Sequence, residues 1–390
     1  MVVAAAAHAR PRAPQLFDQD KWERHRRVDR YWRSMRSLWV STVFRRILSP
    51  CATLAAAALA VCAYNLALVP LAHGLAGGLP ASAAFLQPLL AALPTVSLNL
   101  APFSLISPMV GLLLVFRTNF SYARFLEGRL LWGAAVRHCR DVARLSTAYL
   151  PPSDARAALL GHLQAWAWLL KAQLRAGRTR ASPNDPTCYR DDPSRDVRAC
   201  LPPAQAEPLL AATNRPFVAL CALTALLRHL RGDMPDYATR RIEDTLTDMG
   251  AVAGGCERIL STPMPLSYTR FTGRALVMWL LTLPLALWPL TGWATAPAIF
   301  ALSYVVLGID EIGVEIEEPF CILPLQALCE AVRRDIGIAE KEAAKQWEVW
   351  PGGLGYESGH GSGAAAAAAA AAARQADGKD WGRHPPPGNQ

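Results

Sequence analysis

The stretch Ile47–Phe116, ILSPCATLAAAALAVCAYNLALVPLAHGLAGGLPASAAFLQPLLAALPTVSLNLAPFSLISPMVGLLLVF, runs for seventy residues without one Asp, Glu, Lys or Arg. A second charge-free stretch, Ala275–Ile309, adds thirty-five. A helix needs about 20 predominantly apolar residues to cross the hydrocarbon core of a bilayer. The first stretch therefore has room for two crossings and the second for two short ones. A surface helix of a soluble domain shows a polar face every turn, and neither stretch does. A polytopic helical membrane protein follows, with a large buried soluble core as the weaker alternative.

The other residues carry the charge. The chain has 390 residues, 52% of them hydrophobic, a mean hydropathy of +0.16 and a formal net charge of +9. Such a balance also suits nucleic acid, but the basic residues flank the apolar stretches instead of forming a separate patch. Arg24, Arg26, Arg27, Arg30, Arg33, Arg36, Arg45 and Arg46 precede the first; Arg117, Arg124 and Arg129 follow it; Arg270 and Arg274 precede the second. The turns between crossings, His73–Leu93 and Thr291–Pro297, carry no charge. The positive-inside rule then puts both termini and the charged middle on one side and the two uncharged turns on the other.

The chain divides accordingly. Residues 1–17 begin MVVAAAAHARPRAP, which fits either the tail of an organellar transit peptide or a plain unstructured terminus. Residues 18–46 predict a basic amphipathic helix with Trp22, Tyr31, Trp32 and Trp39, suited to lie along a membrane surface. Residues 47–116 form a transmembrane hairpin, crossing one at Pro50–Ala72 and crossing two at Val96–Phe116. Pro102, Pro108 and Gly111 predict a kinked or segmented second crossing, and irregular backbone at membrane depth is tolerated only where it is buried in protein or lines a watery cavity. Residues 117–272 read as a soluble helical region interrupted by a loop insertion, 175–208, rich in Pro, Asp and Arg. Residues 273–309 hold crossings three (Arg274–Trp288) and four (Ala296–Ile309). A soluble helical segment, 310–349, and a low-complexity tail, 350–390, with a ten-alanine run, complete the chain.

The nine cysteines show no CxxC or Cys/His spacing of a zinc site. Cys51, Cys62 and Cys321 sit in or beside apolar segments and read as small hydrophobes. Cys188 and Cys200 flank a polar loop, as two free thiols or as a disulfide pair. No P-loop, Gly-x-Ser-x-Gly or HExxH pattern points to an enzyme.

Three strings stand out in order: GLLLVFRTNFSYARFLEGRLLWG (Gly111–Gly133), TPMPLSYTR (Thr262–Arg270) and GIDEIGVEIEEPFCILPL (Gly308–Leu325). With DKWERHRR (Asp20–Arg27), they resemble the bestrophin family, and most of all its plant and algal branch of thylakoid anion channels. The resemblance covers roughly residues 18–340, without the insertion and the tail. It implies an all-α homopentameric channel with four transmembrane helices per subunit, a helical soluble portion and one axial pore. Chloride, bicarbonate or another small inorganic anion would be the permeant ion.

In that family the second transmembrane helix lines a hydrophobic neck. Carried onto this chain, Pro102 matches the family proline, and the neck-facing positions fall at Ala101, Leu105 and Met109, four residues apart on one helix face. Read from the residues alone, Leu105 and Met109 are equally packing residues. Ala101 is smaller than the aliphatic residue common at that position. Arg117 and Asn119 end the pore helix in this reading, Arg117 as a snorkelling arginine or as part of a basic mouth that concentrates anions. A second constriction is expected near Asp236–Ile242, with no residue assigned. Glu127 and Arg129 suggest a salt-bridged turn.

The acidic group Asp310, Glu311, Glu315, Glu317 and Glu318 offers oxygen ligands for calcium, weakly at Glu315, Glu317 and Glu318. The calcium clasp of animal bestrophins follows a Pro-Phe matched by Pro319-Phe320, within an acidic run. Here that run reads CILPLQAL, so calcium is doubtful, no cofactor is expected, and ion pairs with Arg117, Arg124 or Arg270 are the preferred reading. Rival functions are a membrane scaffold, its tail and loop tethering a partner such as a carbonic anhydrase, and a secondary carrier. The carrier ranks last because it needs charged coupling residues in the crossings. Thylakoid location with stromal termini completes the expectation.

Overall fold

The computed structural model describes residues 17–38, 41–71, 73, 94–175 and 192–349. The expectations for the N-terminal leader, Trp39, most of the first uncharged turn, Cys188 and the tail lie outside these residues. Among the described residues every regular element is helical. The described residues up to Ala339 form one unit, and the last turns of the final helix, from Glu340 onward, belong to a second.

Among the described residues three helical stretches are long and apolar enough to cross a bilayer: Thr42–Leu71, Ala101–Tyr149 and Leu266–Glu317. The first contains α3, Thr42–Ala63, and a π-helical turn, Tyr64–Leu68. The second is the single helix α4, Ala101–Tyr149. The third is a hairpin of α10, Leu266–Thr291, and α11, Thr295–Glu317. Gly292 makes the bend between them, with φ +54°, a left-handed conformation that costs a glycine little. Four transmembrane segments result, as the two charge-free stretches imply.

Their boundaries run past the charge-free blocks. Ser41 caps α3 by accepting from the Phe44 N–H, so Arg45 and Arg46 belong to its first turns and Pro50 to its interior. Arg270 and Arg274 lie within α10, and Asp310 to Glu317 within α11. The amphipathic segment 18–46 is not one helix. It forms α1, Gln19–Arg26, capped by Asp18, and α2, Arg30–Arg36, with exposed Trp22, Tyr31, Trp32 and Met35.

α3 buries Phe44, Ile47, Cys51, Leu54, Ala58 and Cys62, a stripe at three- and four-residue spacing. Leu54 and Ala58 meet Leu280 and Leu283 of α10 and Ala296 and Ile299 of α11. Val110 and Leu114 of α4 pack on Leu276 of α10. These small clusters hold the membrane part.

The larger core lies beyond it. The later half of α4 buries Trp132, Ala135, Cys139 and Val142 against α5, Asp154–Arg175, which is buried nearly all round through Leu159, Leu163, Trp166, Trp168 and Leu170. α8, Arg215–His229, α9, Asp236–Ser261, and the first part of α12, Leu325–Val349, complete this core.

Two expectations need correction here. From residue 194 on, the expected loop insertion 175–208 is not loop: it enters α6, Ser194–Cys200, and α7, Pro203–Ala211, which bury Val197, Ala206 and Leu209. Pro193, Pro202 and Pro203 sit at helix starts, where a missing N–H removes no hydrogen bond, and Pro208 is accommodated within α7. The second is the end of the pore helix. α4 continues unbroken for 49 residues, past Arg117 and Asn119. Pro102 lies in its first turn, and Glu127 and Arg129 stand in its middle, not in a turn. Glu127 pairs with Arg258 of α9.

Candidate functional site

The first turns of α4 are apolar, and the rest of the chain leaves much of their surface uncovered. At 3.6 residues per turn, two sets of side chains fall on opposite sides of this helix. Val110, Leu114, Arg117 and Ser121 are buried against the bundle. Ala101, Leu105, Met109, Leu112 and Phe116 lie on the other side, and Leu105 and Met109 are 75% and 68% exposed. The three neck positions expected from the sequence thus share one bare face. Leu112 and Phe116 extend it at continuing three- and four-residue steps, a pattern present in the sequence but not assigned there.

Asn119 and Arg117, paired in the sequence reading as the pore mouth, separate. Asn119 is exposed and falls on the same side as Leu105. Arg117 is 5% exposed and turned into the subunit, where its guanidinium pairs with Asp310 of α11. Two residues along a helix is a 200° rotation, so both cannot face one conduit. The Arg117 side chain therefore neither snorkels nor lines a mouth; it ties α4 to α11.

The acidic group disperses in the same way. Asp310 takes Arg117, Glu311 pairs with Arg46 of α3 at 3.0 Å, and the Glu317 carboxylate accepts from the Met264 N–H at 2.9 Å. Arg124 reaches no carboxylate. Its guanidinium donates to the carbonyls of Ile259 (2.6 Å), Thr262 (2.8 Å) and Glu317 (3.2 Å), closing the C-terminal ends of α9 and α11 together. Among the described residues no three His, Cys, Asp or Glu side chains assemble as a metal site. At the region named for a second constriction, Asp236 and Tyr237 are exposed at the start of α9 while Ile242 is fully buried.

The segment before α4 was not singled out by sequence. Residues 94–99 are non-helical, and backbone groups at membrane depth must find partners within the protein. Buried Asn65, in the π-helical turn, supplies two: its amide N–H donates to the Val96 carbonyl at 3.0 Å and its oxygen accepts from the Val96 N–H at 2.8 Å. The Tyr64 hydroxyl donates to the Pro94 carbonyl at 3.1 Å, and the Leu98 N–H donates to the Leu285 carbonyl of α10 at 2.9 Å. A polar residue within the charge-free block was the available signal. Its partner was invisible because thirty-one positions separate Asn65 from Val96.

Comparisons with known proteins agree on one family. A family model described as Bacterial/Fungal Bestrophin protein matches residues 21–337. The "Voltage-dependent chloride channel 1, chloroplastic" of Arabidopsis thaliana is 30% identical over 338 residues, 86% of this chain and 74% of that protein. A "Voltage-dependent anion channel-forming protein" of Mesorhizobium japonicum is 32% identical over 237 residues, 59% of this chain and 72% of that one. Among solved structures, a bacterial bestrophin homologue from Klebsiella pneumoniae superposes with a TM-score of 0.57 at 28% identity, over 72% of this chain and 98% of that one.

Proposed function

The chain belongs to the bestrophin family, and from that premise we propose that it is an anion channel, a homopentamer whose five α4 helices surround one axial pore. The observation that carries the reading is the bare apolar face of α4, with Leu105 and Met109 more than two-thirds exposed in the single chain. The charge-free first part of α4, residues 101–116, with one side packed on its own subunit and the other uncovered, suits the wall of a shared conduit.

Five copies of that face ring the axis with Ala101, Leu105 and Met109. Such a ring offers a passing ion no compensating charge, so it conducts when wetted and closes by dewetting. Ala101 leaves the first level wider than the two below it. Selection for anions comes from the α4 N-termini, each worth about half a positive charge and pointing into the same mouth. Asn119, on the pore side farther along, offers amide N–H donors to an anion leaving the neck. No residue performs chemistry, and no cofactor is needed in this mechanism.

The permeant ion in this reading is chloride, with bicarbonate as a second, because a hydrophobic neck discriminates by size and dehydration cost and not by chemical identity. The chloroplastic relatives support a chloroplast membrane, which we assign as the thylakoid with stromal termini. Purified protein in planar bilayers tests the reading. Replacing chloride by bicarbonate or nitrate should shift the reversal potential by their relative permeabilities, and Leu105→Ala with Met109→Ala should enlarge conductance. An unaltered current from a correctly assembled double variant would move the pore off this face.

A further inference from the structure

The bonds that hold residues 94–99 come from two different transmembrane helices, and each donor or acceptor is there for a local reason. In α3 the π-helical turn Tyr64–Leu68 lets the Val69 N–H bond five residues back to Tyr64. Turns of this kind occur as single bulges in α-helices, frequently at functional sites. The buried stripe of α3 passes through it to Asn65 and Val69, leaving Leu66 and Leu68 outside. Asn65 thereby presents its whole amide to Val96, satisfying both backbone groups of that residue as a neighbouring β-strand would.

On the other side the acceptor is the Leu285 carbonyl. In an uninterrupted helix it would take the N–H of residue 289, but that residue is Pro289 and has none. The carbonyl lacks that partner, and the Leu98 N–H takes it at 2.9 Å. The chain then turns directly into α4, where the Asn99 side chain accepts from the Ala101 N–H at 2.9 Å. Only four residues separate Val96 from Ala101, the first neck position.

We infer that Asn65 and the Leu285 carbonyl freed by Pro289 form a two-sided clamp that positions the first turn of α4, making Asn65 and Pro289 positioning residues for the pore. The inference rests on the assignment of α4 as the pore wall. Releasing the clamp lets the first turn, and Ala101 and Leu105 with it, move relative to the axis, which alters how readily the neck wets.

The test uses the full-length protein reconstituted in planar bilayers, with open probability, the iodide-to-chloride permeability ratio and the unfolding midpoint measured for each variant. Asn65→Leu keeps the shape and removes both bonds, worth about a 30-fold change in the clamped-to-released ratio. Pro289→Ala gives residue 289 an N–H that reclaims the Leu285 carbonyl; the loss of one bond is about a fivefold change. Pro289 is exposed, and alanine is the better helix former, so this variant should unfold no earlier than the parent. A purely structural role would leave its currents unchanged.

Altered open probability or permeability ratio in both variants supports the clamp. Parental currents in Pro289→Ala overturn it, even if Asn65→Leu fails to fold. Parental currents in both, beside an altered Leu105→Ala/Met109→Ala double variant, overturn the clamp alone. A silent neck variant removes the pore assignment and the clamp with it.

Discussion

Asp310→Ala isolates the tie between α4 and α11. The Arg117 side chain is 6% exposed and that of Asp310 19%. Among the described residues Asp310 supplies the one hydrogen bond made by the Arg117 guanidinium, whose buried Nε finds no partner there. Removing one member of a buried pair costs about 3–5 kcal/mol, because the other charge is stranded away from water. Asp310 keeps some contact with solvent, so the lower end applies, about 3 kcal/mol or roughly two decades in the folding constant. Removing both charges, Arg117→Met with Asp310→Leu, strands nothing and should return stability to within about 1 kcal/mol of the parent. Equilibrium unfolding in mixed micelles with rising SDS, followed by tryptophan fluorescence, of this double variant beside the single variants Arg117→Met and Asp310→Leu closes the double-mutant cycle. A loss below about 1 kcal/mol for Asp310→Ala, or a double variant as damaged as the sum of the singles, would refute the buried pair. Arg117 would then return to the surface of the helix, where a mouth residue belongs.

Gly161→Ala should cost about 1–3 kcal/mol, since its Cβ would stand 2.6 Å from the Cys200 carbonyl oxygen and 2.9 Å from Leu201. Faster proteolytic nicking within residues 192–211 would register the loosened α6, and unchanged nicking would mean that α6 does not rest on α5. Arg124→Lys should destabilise nearly as much as Arg124→Ala, by about 2 kcal/mol in thermal unfolding, because one ammonium cannot replace a planar fork spread over three carbonyls; full rescue by lysine would contradict the geometry. Burial holds the His162 imidazole below its usual pKa of 6.5, against a smaller opposing effect of its bond to the Ala158 carbonyl. The unfolded chain therefore binds more protons as pH falls through 6.5, so stability is present above that pH and declines below it, towards the lowered value. In His162→Gln the unfolding midpoint should depend less on pH between 7.5 and 5, and an unchanged slope would place the dependence elsewhere.

The fold was legible where one helix's own pattern decides it. Seventy residues without a charge can only be helices in lipid or in a very large core, and the bestrophin-like strings set their order. That Ala101, Leu105 and Met109 share one helix face was legible for the same reason, by spacing alone, whereas their place in a neck came only from the resemblance. What stayed hidden depended on partners far along the chain. Arg117 reads as a mouth residue beside Asn119 until Asp310, 193 positions away, is seen to take it inward. The freed carbonyl of Leu285 follows from Pro289, but nothing local says that Leu98 will use it. Residues 194–208 read as loop because their prolines are common in loops, while Val197, Ala206 and Leu209 are too few to signal burial without α5 beside them.

The central claim is anion conduction through this protein alone, and a reversal potential under a KCl gradient tests it most directly. With purified protein in a planar bilayer, the account predicts a current that reverses close to the chloride equilibrium potential. Reversal near the potassium potential, or no current at any voltage from correctly assembled protein, would contradict it.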